Sequence, residues 1–252
     1  MLSRLQGRRS YAGTRWDEGR AFTESIRVLR ANLGVALADF DHPAVIVTSS
    51  SPGEGKTTTC CHLAASFATS GQRIVLVDLD LRHPDAHRMV GAHNEFGASD
   101  VLLGRRRLQD SLQYLELTSY DHRPPTGFYF LAAGGEVASP ADLLAGGRTA
   151  RLLEGLAEQA DVVLLDTPAI LPVADALVVG RVAAGAVLVA EAGRTGLDDL
   201  GKAKDLLIRN RTRLLGVVLN RADPQAADLD GARHLSGIPA NGSEPPVSGL
   251  SA

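Results

Sequence analysis

The segment Ser50-Ser51-Pro52-Gly53-Glu54-Gly55-Lys56-Thr57 constrains this chain more than any other. It follows a short apolar, β-branched run, Ala44 to Thr48, and precedes a helical stretch that continues through Ala68. A strand, a glycine loop and a helix in that order make a cradle for an anion, because inward-turned backbone N–H groups and the positive end of the helix converge on one point. The segment fits G-x-x-x-x-G-K-[ST] with Ser50 in place of the first glycine. Gly53 and Gly55 supply the backbone freedom, and Ser51, Pro52, Glu54 and Thr58 complete the loop and the first helical turn around it. Lys56 is placed to reach the outer phosphates of a nucleotide, and the Thr57 hydroxyl to join the oxygen shell of Mg²⁺. A loop that only caps a helix would also use Gly, Ser and Thr, but it has no need of lysine. Only three of the 26 basic residues are lysine, and one of them stands here.

Further apolar runs recur at Ile74–Val77, Phe128–Leu131, Val162–Leu165, Ala186–Ala190 and Leu214–Leu219, with helical patterns near 20–38, 141–159, 173–183 and 197–209. Continuous apolar strands alternating with helices predict an α/β fold of the P-loop NTPase type, a mostly parallel sheet with helices on both faces. Two of the runs end in acids. Asp78 and Asp80 stand in Val77-Asp78-Leu79-Asp80-Leu81-Arg82, at a strand end where such sheets hold ligands, and alternation along an extended segment sends both carboxylates to one side. With Arg82 they form a group suited to holding Mg²⁺ water and polarising an attacking hydroxyl. Asp166 closes a second run 110 residues after Lys56, in the form that binds magnesium directly or through water. The metal set expected from these residues is Thr57, Asp80 and Asp166.

Composition narrows the class. A formal charge of −3 gives no electrostatic footprint for nucleic acid. The two cysteines, Cys60 and Cys61, are neighbours on an expected helix and make a poor disulfide pair, which fits a reducing cytoplasm. No run of about 18 apolar residues is present, and the longest apolar stretch carries Asp166 and Asp175. Residues 1–19, with Arg4, Arg8, Arg9 and Arg15, read as a mobile basic arm, residues 20–221 as one nucleotide-binding domain, and residues 222–252, rich in Pro, Gly, Ser and Ala, as a disordered tail.

Together the three motifs resemble those of the bacterial tyrosine kinases, which read close to SxPGEGKS/T, D-x-D-x-R and DTPP; here they are SSPGEGKT, DLDLR and DTPA, with Ala169 replacing the second proline. Leu171-Pro172-Val173-Ala174-Asp175-Ala176 and Leu215-Gly216-Val217-Val218-Leu219-Asn220 extend the resemblance over roughly Glu24 to Arg221. It implies MgATP as cofactor, with Lys56, Asp78, Asp80 and Arg82 as the catalytic set, Asp78 as the base, and Asn220 near the adenine. Glu24-x-x-Arg27-x-x-Arg30 is similar to a family motif that packs subunits into a ring, and so implies a homo-oligomer. The resemblance also implies a separate membrane adaptor of the polysaccharide copolymerase type, recruitment from the cytoplasm to the inner face of the plasma membrane, and a role in capsular or exopolysaccharide export.

One part of the pattern fails. The tail has no tyrosine cluster, and the four tyrosines are Tyr11, Tyr114, Tyr120 and Tyr129. Two readings therefore stand side by side, a protein-tyrosine kinase and an ATP-dependent assembly switch that docks to the adaptor. A partition-type or division-site ATPase of the MinD/ParA kind is weaker, because Ser51 occupies the position where those proteins carry a lysine that reaches across a dimer.

Overall fold

The computed structural model describes residues 9–11, 19–41, 43–117 and 126–222, and of residues 9–11, 19 and 20 the backbone only. All but Ala222 of these belong to one compact unit, Met1–Arg221. The tail after Ala222, most of the N-terminal arm and Tyr120 lie outside the described residues.

Eight strands are described: β1 (Arg9–Tyr11), β2 (Ala44–Ser49), β3 (Ile74–Asp78), β4 (Gln113–Leu117), β5 (Thr126–Leu131), β6 (Val162–Asp166), β7 (Gly185–Glu191) and β8 (Leu214–Asn220). They form one sheet in the order β1-β4-β5-β3-β6-β2-β7-β8, parallel except for the antiparallel β4–β5 pair. The helices are α1 (Gly19–Ala36), α2 (Lys56–Thr69), α3 (Ala86–Met89), α4 (Ala98–Leu102), α5 (Pro140–Leu144), α6 (Gly147–Ala157), α7 (Asp175–Gly180) and α8 (Leu197–Arg209).

The central strands are apolar throughout because successive side chains enter two different cores. Ile46, Val75, Val77, Val163 and Leu165 face the core under α6, α7 and α8, while Val45, Val47, Leu76, Val162 and Leu164 face the one under α1 and α2. In register, β3 and β6 bring Asp78 opposite Asp166 at their C-terminal ends.

Three expectations change. Arg9–Tyr11, read as part of a mobile arm, forms a strand on β4; an edge strand exposes a row of unpaired backbone groups that a passing segment can complete. β4 itself was not expected, since in Gln-Tyr-Leu-Glu-Leu only Leu115 and Leu117 are buried and no continuous apolar run results. The helix expected over 141–159 breaks into α5 and α6 at Gly146, whose φ of 90° lies in the left-handed region.

On α1, Arg27 pairs with Glu24 on its own helix at 3.2 Å. Arg30, half-buried, donates from its Nη1 to the Ser66 carbonyl of α2 at 3.4 Å.

Candidate active site

Two glycines shape the phosphate loop. Gly53 and Gly55 have φ of 85° and 93°, the left-handed region that a side chain disfavours. At Gly55 space is limiting as well, because a Cβ there would lie 2.0 Å from Nδ2 of Asn220. Gly55 ends the turn as the residue before α2, which then starts at Lys56.

The loop is braced from behind by Glu54. Its buried carboxylate accepts from the Ser50 hydroxyl at 2.8 Å, from the Ser51 amide at 3.0 Å and from the Thr195 hydroxyl at 2.5 Å. Thr195 in turn accepts from the Glu191 amide at 2.8 Å. Ser50, the departure from the glycine pattern, thus supplies a hydroxyl that glycine lacks. The Asn220 amide donates to the Glu54 carbonyl at 3.0 Å, and Arg221 Nη1 pairs with Glu191 at 2.7 Å.

In front of the loop lies a cleft of about 510 Å³, within the size range of nucleotide and small-molecule sites. Pro52, Gly53, Gly55, Lys56, Thr57, Thr58, Asp80 and Arg82 line it together with Pro168, Ala169 and Arg221. Lys56 Nζ lies 3.3 Å from the Asp80 carboxylate. Arg82 is held by a two-pronged bond to the fully buried Asp175, with distances of 2.8 and 3.0 Å.

The two strand-end carboxylates differ in their bonding. Asp78 is buried, its Oδ1 accepts from the Asp80 amide at 3.1 Å and its Oδ2 from the Ala86 amide at 3.2 Å. Burial, with the Asp166 charge second, holds its pKa well above the usual carboxylate range. Asp166 is equally buried, yet neither of its oxygens has a hydrogen-bond partner among the described residues. Burial pushes its pKa up to about 7, against the pull of the Lys56 charge and of the Thr57 hydroxyl, which lies close but outside full hydrogen-bond geometry.

A hard divalent cation fits this arrangement. No group of three or more His, Cys, Asp or Glu side chains is built to hold a metal among the described residues. Mg²⁺ does not require one, since it takes one or two carboxylates and fills its shell with phosphate oxygens and water. The orphaned oxygens of Asp166, next to the Thr57 hydroxyl, are the donors such an ion needs.

Four of the expected site residues stand apart from the others in this geometry. Asp78 does not line the cleft, and its oxygens are committed to backbone amides, so Asp80 alone of the pair faces the open side. Alternation fails there because β3 ends at Asp78. Glu54 turns its carboxylate into the protein, and the Ser51 amide is taken by it, so neither group is aimed at a phosphate. Asn220 packs under Gly55 and bonds the loop carbonyl, while its neighbour Arg221 reaches the cleft wall. Lys56, Thr57, Thr58, Asp80, Arg82 and Asp166 are brought together around the loop.

Sequence reasoning missed the bracing roles of Thr195 and Asp175. Their partners are 141 and 93 residues away, so no local spacing marks them. Cys60 and Cys61 are both free and buried.

Residues 45–242 match the family model described as the CobQ/CobB/MinD/ParA nucleotide binding domain. Over 202 residues the chain is 36% identical to tyrosine-protein kinase YwqD of Bacillus subtilis, covering 79% of this chain and 80% of that protein. It is 32% identical over 197 residues to tyrosine-protein kinase etk of Escherichia coli, covering 78% of this chain but only 26% of that longer protein. The solved kinase domain of Escherichia coli tyrosine kinase ETK superposes with a TM-score of 0.74 at 28% identity, covering 88% of this chain and 86% of the domain. No helix among the described residues is long and apolar enough to cross a membrane.

Proposed function

The chain belongs to the CobQ/CobB/MinD/ParA nucleotide-binding family and, within it, to the bacterial tyrosine-protein kinases, and from that membership we propose that it transfers the terminal phosphoryl group of ATP to a protein tyrosine in the control of capsular or exopolysaccharide synthesis. The observation that carries this reading is the meeting of Lys56, Asp80 and the orphaned Asp166 on one phosphate loop.

The loop amides from Gly53 onward and the N-terminus of α2 hold the triphosphate, and Lys56 neutralises charge on its outer oxygens. Thr57, Asp80 and Asp166 would hold Mg²⁺, which supplies further neutralisation of the phosphates when bound. Of the two carboxylates that line the cleft, Asp80 and Asp85, Asp80 lies beside Lys56 and takes the proton of the acceptor hydroxyl. The tyrosine oxygen then bonds to the terminal phosphorus as the bond to the bridging oxygen breaks, leaving ADP. Asp78 acts as a positioning residue, because its hydrogen bonds fix the backbone that presents Asp80. Arg82 is oriented by Asp175, at the rim of the same cleft.

A second reading is favoured by where the tyrosines lie. Tyr114 and Tyr129 stand opposite each other on β4 and β5, packed edge to face at 5.2 Å, and the tail has none. The acceptor is then Tyr11 or a tyrosine on another protein, for which the membrane adaptor is the first candidate, or the nucleotide serves as an assembly signal with little transfer. Recruitment to the membrane by that adaptor, and contacts between copies through Glu24, Arg27 and Arg30, belong to either version.

Both are tested by incubating the full chain and a cytoplasmic adaptor fragment with MgATP, alongside Lys56→Met, and mapping phosphate by mass spectrometry. Phosphotyrosine on the adaptor that falls at least about a hundredfold in the variant supports transfer. ADP formation or nucleotide-dependent assembly without phosphotyrosine supports the switch. Absence of nucleotide uptake by calorimetry, with adaptor present, overturns both.

A further inference from the structure

Beside the nucleotide cleft lies a second one, of about 630 Å³, that the phosphate loop does not line. Arg82, His83, Asp85, His87, Arg88 and Asn94 surround it. The first three of these also line the nucleotide cleft, so the two clefts share a wall.

The sheet sets this second cleft on one side of the nucleotide. The phosphate loop follows β2; Arg221 closes the nucleotide cleft from the end of β8, and Asp80 and Arg82 close it from beyond the end of β3. Those strand ends lie on opposite sides of β2 in the sheet order. The second cleft continues on the β3 side toward β5, because Asn94 is tied to Gly134, just after β5: its Oδ1 accepts from the Gly134 amide at 2.9 Å and its Nδ2 donates to the Gly134 carbonyl at 3.3 Å. Carboxyl ends of neighbouring parallel strands are where sheets of this kind hold ligands. Asp80, the carboxylate beside Lys56, stands on the same side.

The lining is rich in donors that the protein itself leaves unused. Arg82 gives its Nε and Nη2 to Asp175, and its Nη1 makes no hydrogen bond among the described residues. The Nδ1 atom of His87 is buried without a partner among the described residues. Burial, with the Arg88 charge second, holds the His87 pKa below the usual histidine value, so near pH 7 the ring is neutral and offers one donor and one acceptor. A ring nitrogen shut away from water without a partner is costly, and a ligand would relieve that cost. Arg88 reaches only Asp85, at 3.3 Å, in a pair whose side chains are 75% and 57% exposed and therefore weak. Against two guanidiniums and two imidazoles, the cleft sets the single carboxylate of Asp85.

Resting on the phosphoryl-transfer reading, we infer that this cleft binds an acidic segment of the protein that carries the acceptor tyrosine. Carboxylates of that segment meet Arg82, His87 and Arg88, while the tyrosine enters the adjoining cleft toward Asp80. The acids thus stand within a few residues of the tyrosine in the acceptor chain. The same chemistry disfavours Tyr11, which follows Arg8, Arg9 and Ser10 and has no acid before Asp17, and so points to an acceptor on another protein.

The test uses the full chain with saturating MgADP and a fluorescent peptide whose one tyrosine is flanked on each side by three glutamates, compared with the same peptide carrying glutamines. Fluorescence anisotropy should show the acidic peptide binding at least about tenfold more tightly, with a preference that shrinks at high salt. Arg88→Glu should weaken its binding about tenfold, and Asp85→Asn should tighten it about threefold by removing the competing acid. A merely structural role for either residue would not give these opposite signs. Arg88 does not line the nucleotide cleft, so ADP uptake by calorimetry should be unchanged in Arg88→Glu, which also shows that the variant is folded. With MgATP the peptide should gain phosphotyrosine, and Arg88→Glu should raise its KM while leaving kcat unchanged. Equal affinity for the two peptides, or an affinity that neither variant moves, overturns the inference and leaves the kinase reading standing. Preferential binding without phosphate on the peptide upholds the cleft as a site for acidic segments and counts against the kinase reading in favour of the switch.

Discussion

The ends of β3 and β6 lie side by side in register, and each delivers a buried aspartate to the same layer, but the chain treats them in opposite ways. At β3 the backbone turns back immediately, and both oxygens of Asp78 are filled by amides of the segment that follows. At β6 the chain leaves along Thr167, whose amide and hydroxyl bond the Val47 carbonyl of β2, and no backbone amide returns to the Asp166 carboxylate. One carboxylate organises a loop, and the other is left for a ligand. A buried, unpartnered carboxylate is costly to fold, and that cost is what bound metal and nucleotide would relieve.

The largest expected effect follows from Asp166. Its folded pKa of about 7 stands above the ordinary value of 3.8. Between those values the folded protein keeps a proton that the unfolded chain has released, so stability falls as pH rises through that window and is flat above it. Asp166→Asn has no such proton to lose. In metal-free and nucleotide-free buffer it should gain on the parent by on the order of 4 kcal/mol at pH 8, with most of the gain absent at pH 4. Urea unfolding at the two pH values measures this. An equal offset at both would mean that Asp166 is not held protonated by its surroundings.

The second effect concerns the staple between the two ends. Arg82 comes from the segment after β3, and Asp175 begins α7 after β6. Removing the guanidinium leaves a fully buried carboxylate without its two-pronged partner. Arg82→Ala should therefore cost about 2 kcal/mol, below the usual range for a broken buried pair because the arginine itself is partly solvated. Arg82→Ala/Asp175→Asn should recover part of the loss. If the double variant is no more stable than the single one, the pair does not couple the two strand ends.

Much of this site was legible in advance for a local reason. The loop glycines, Lys56 and Thr57 act through consecutive backbone geometry, and continuous apolar runs marked the six interior and flanking strands. What escaped detection depends on distance or on half-burial. β4 shows only alternation, which a search for continuous runs passes over, and β1 is held by pairing with it. Glu54 carries no sign in its own neighbourhood that it braces Thr195 across 141 residues. Alternation, which would send Asp78 and Asp80 to one side, stops at Asp78, where the strand ends. The two aspartates look alike in sequence, and only the amides around one of them distinguish it from its neighbour.

That distinction yields the smallest expected effect. Asp78→Asn removes a charge that burial and Asp166 both disfavour, which stabilises the fold. It also replaces one acceptor oxygen with an NH₂ group, so either the Asp80 or the Ala86 amide loses its partner and faces a donor. An unsatisfied buried amide costs about 1 to 3 kcal/mol and opposes that gain, so Asp78→Asn should stabilise the protein less than Asp166→Asn does. Hydrogen exchange separates the two contributions, because the Ala86 or Asp80 amide should exchange faster even where global stability is unchanged. If Asp78→Asn instead stabilises the protein as much as Asp166→Asn and leaves both amides protected, its oxygens are not bracing the loop, and the contrast between the two strand ends disappears.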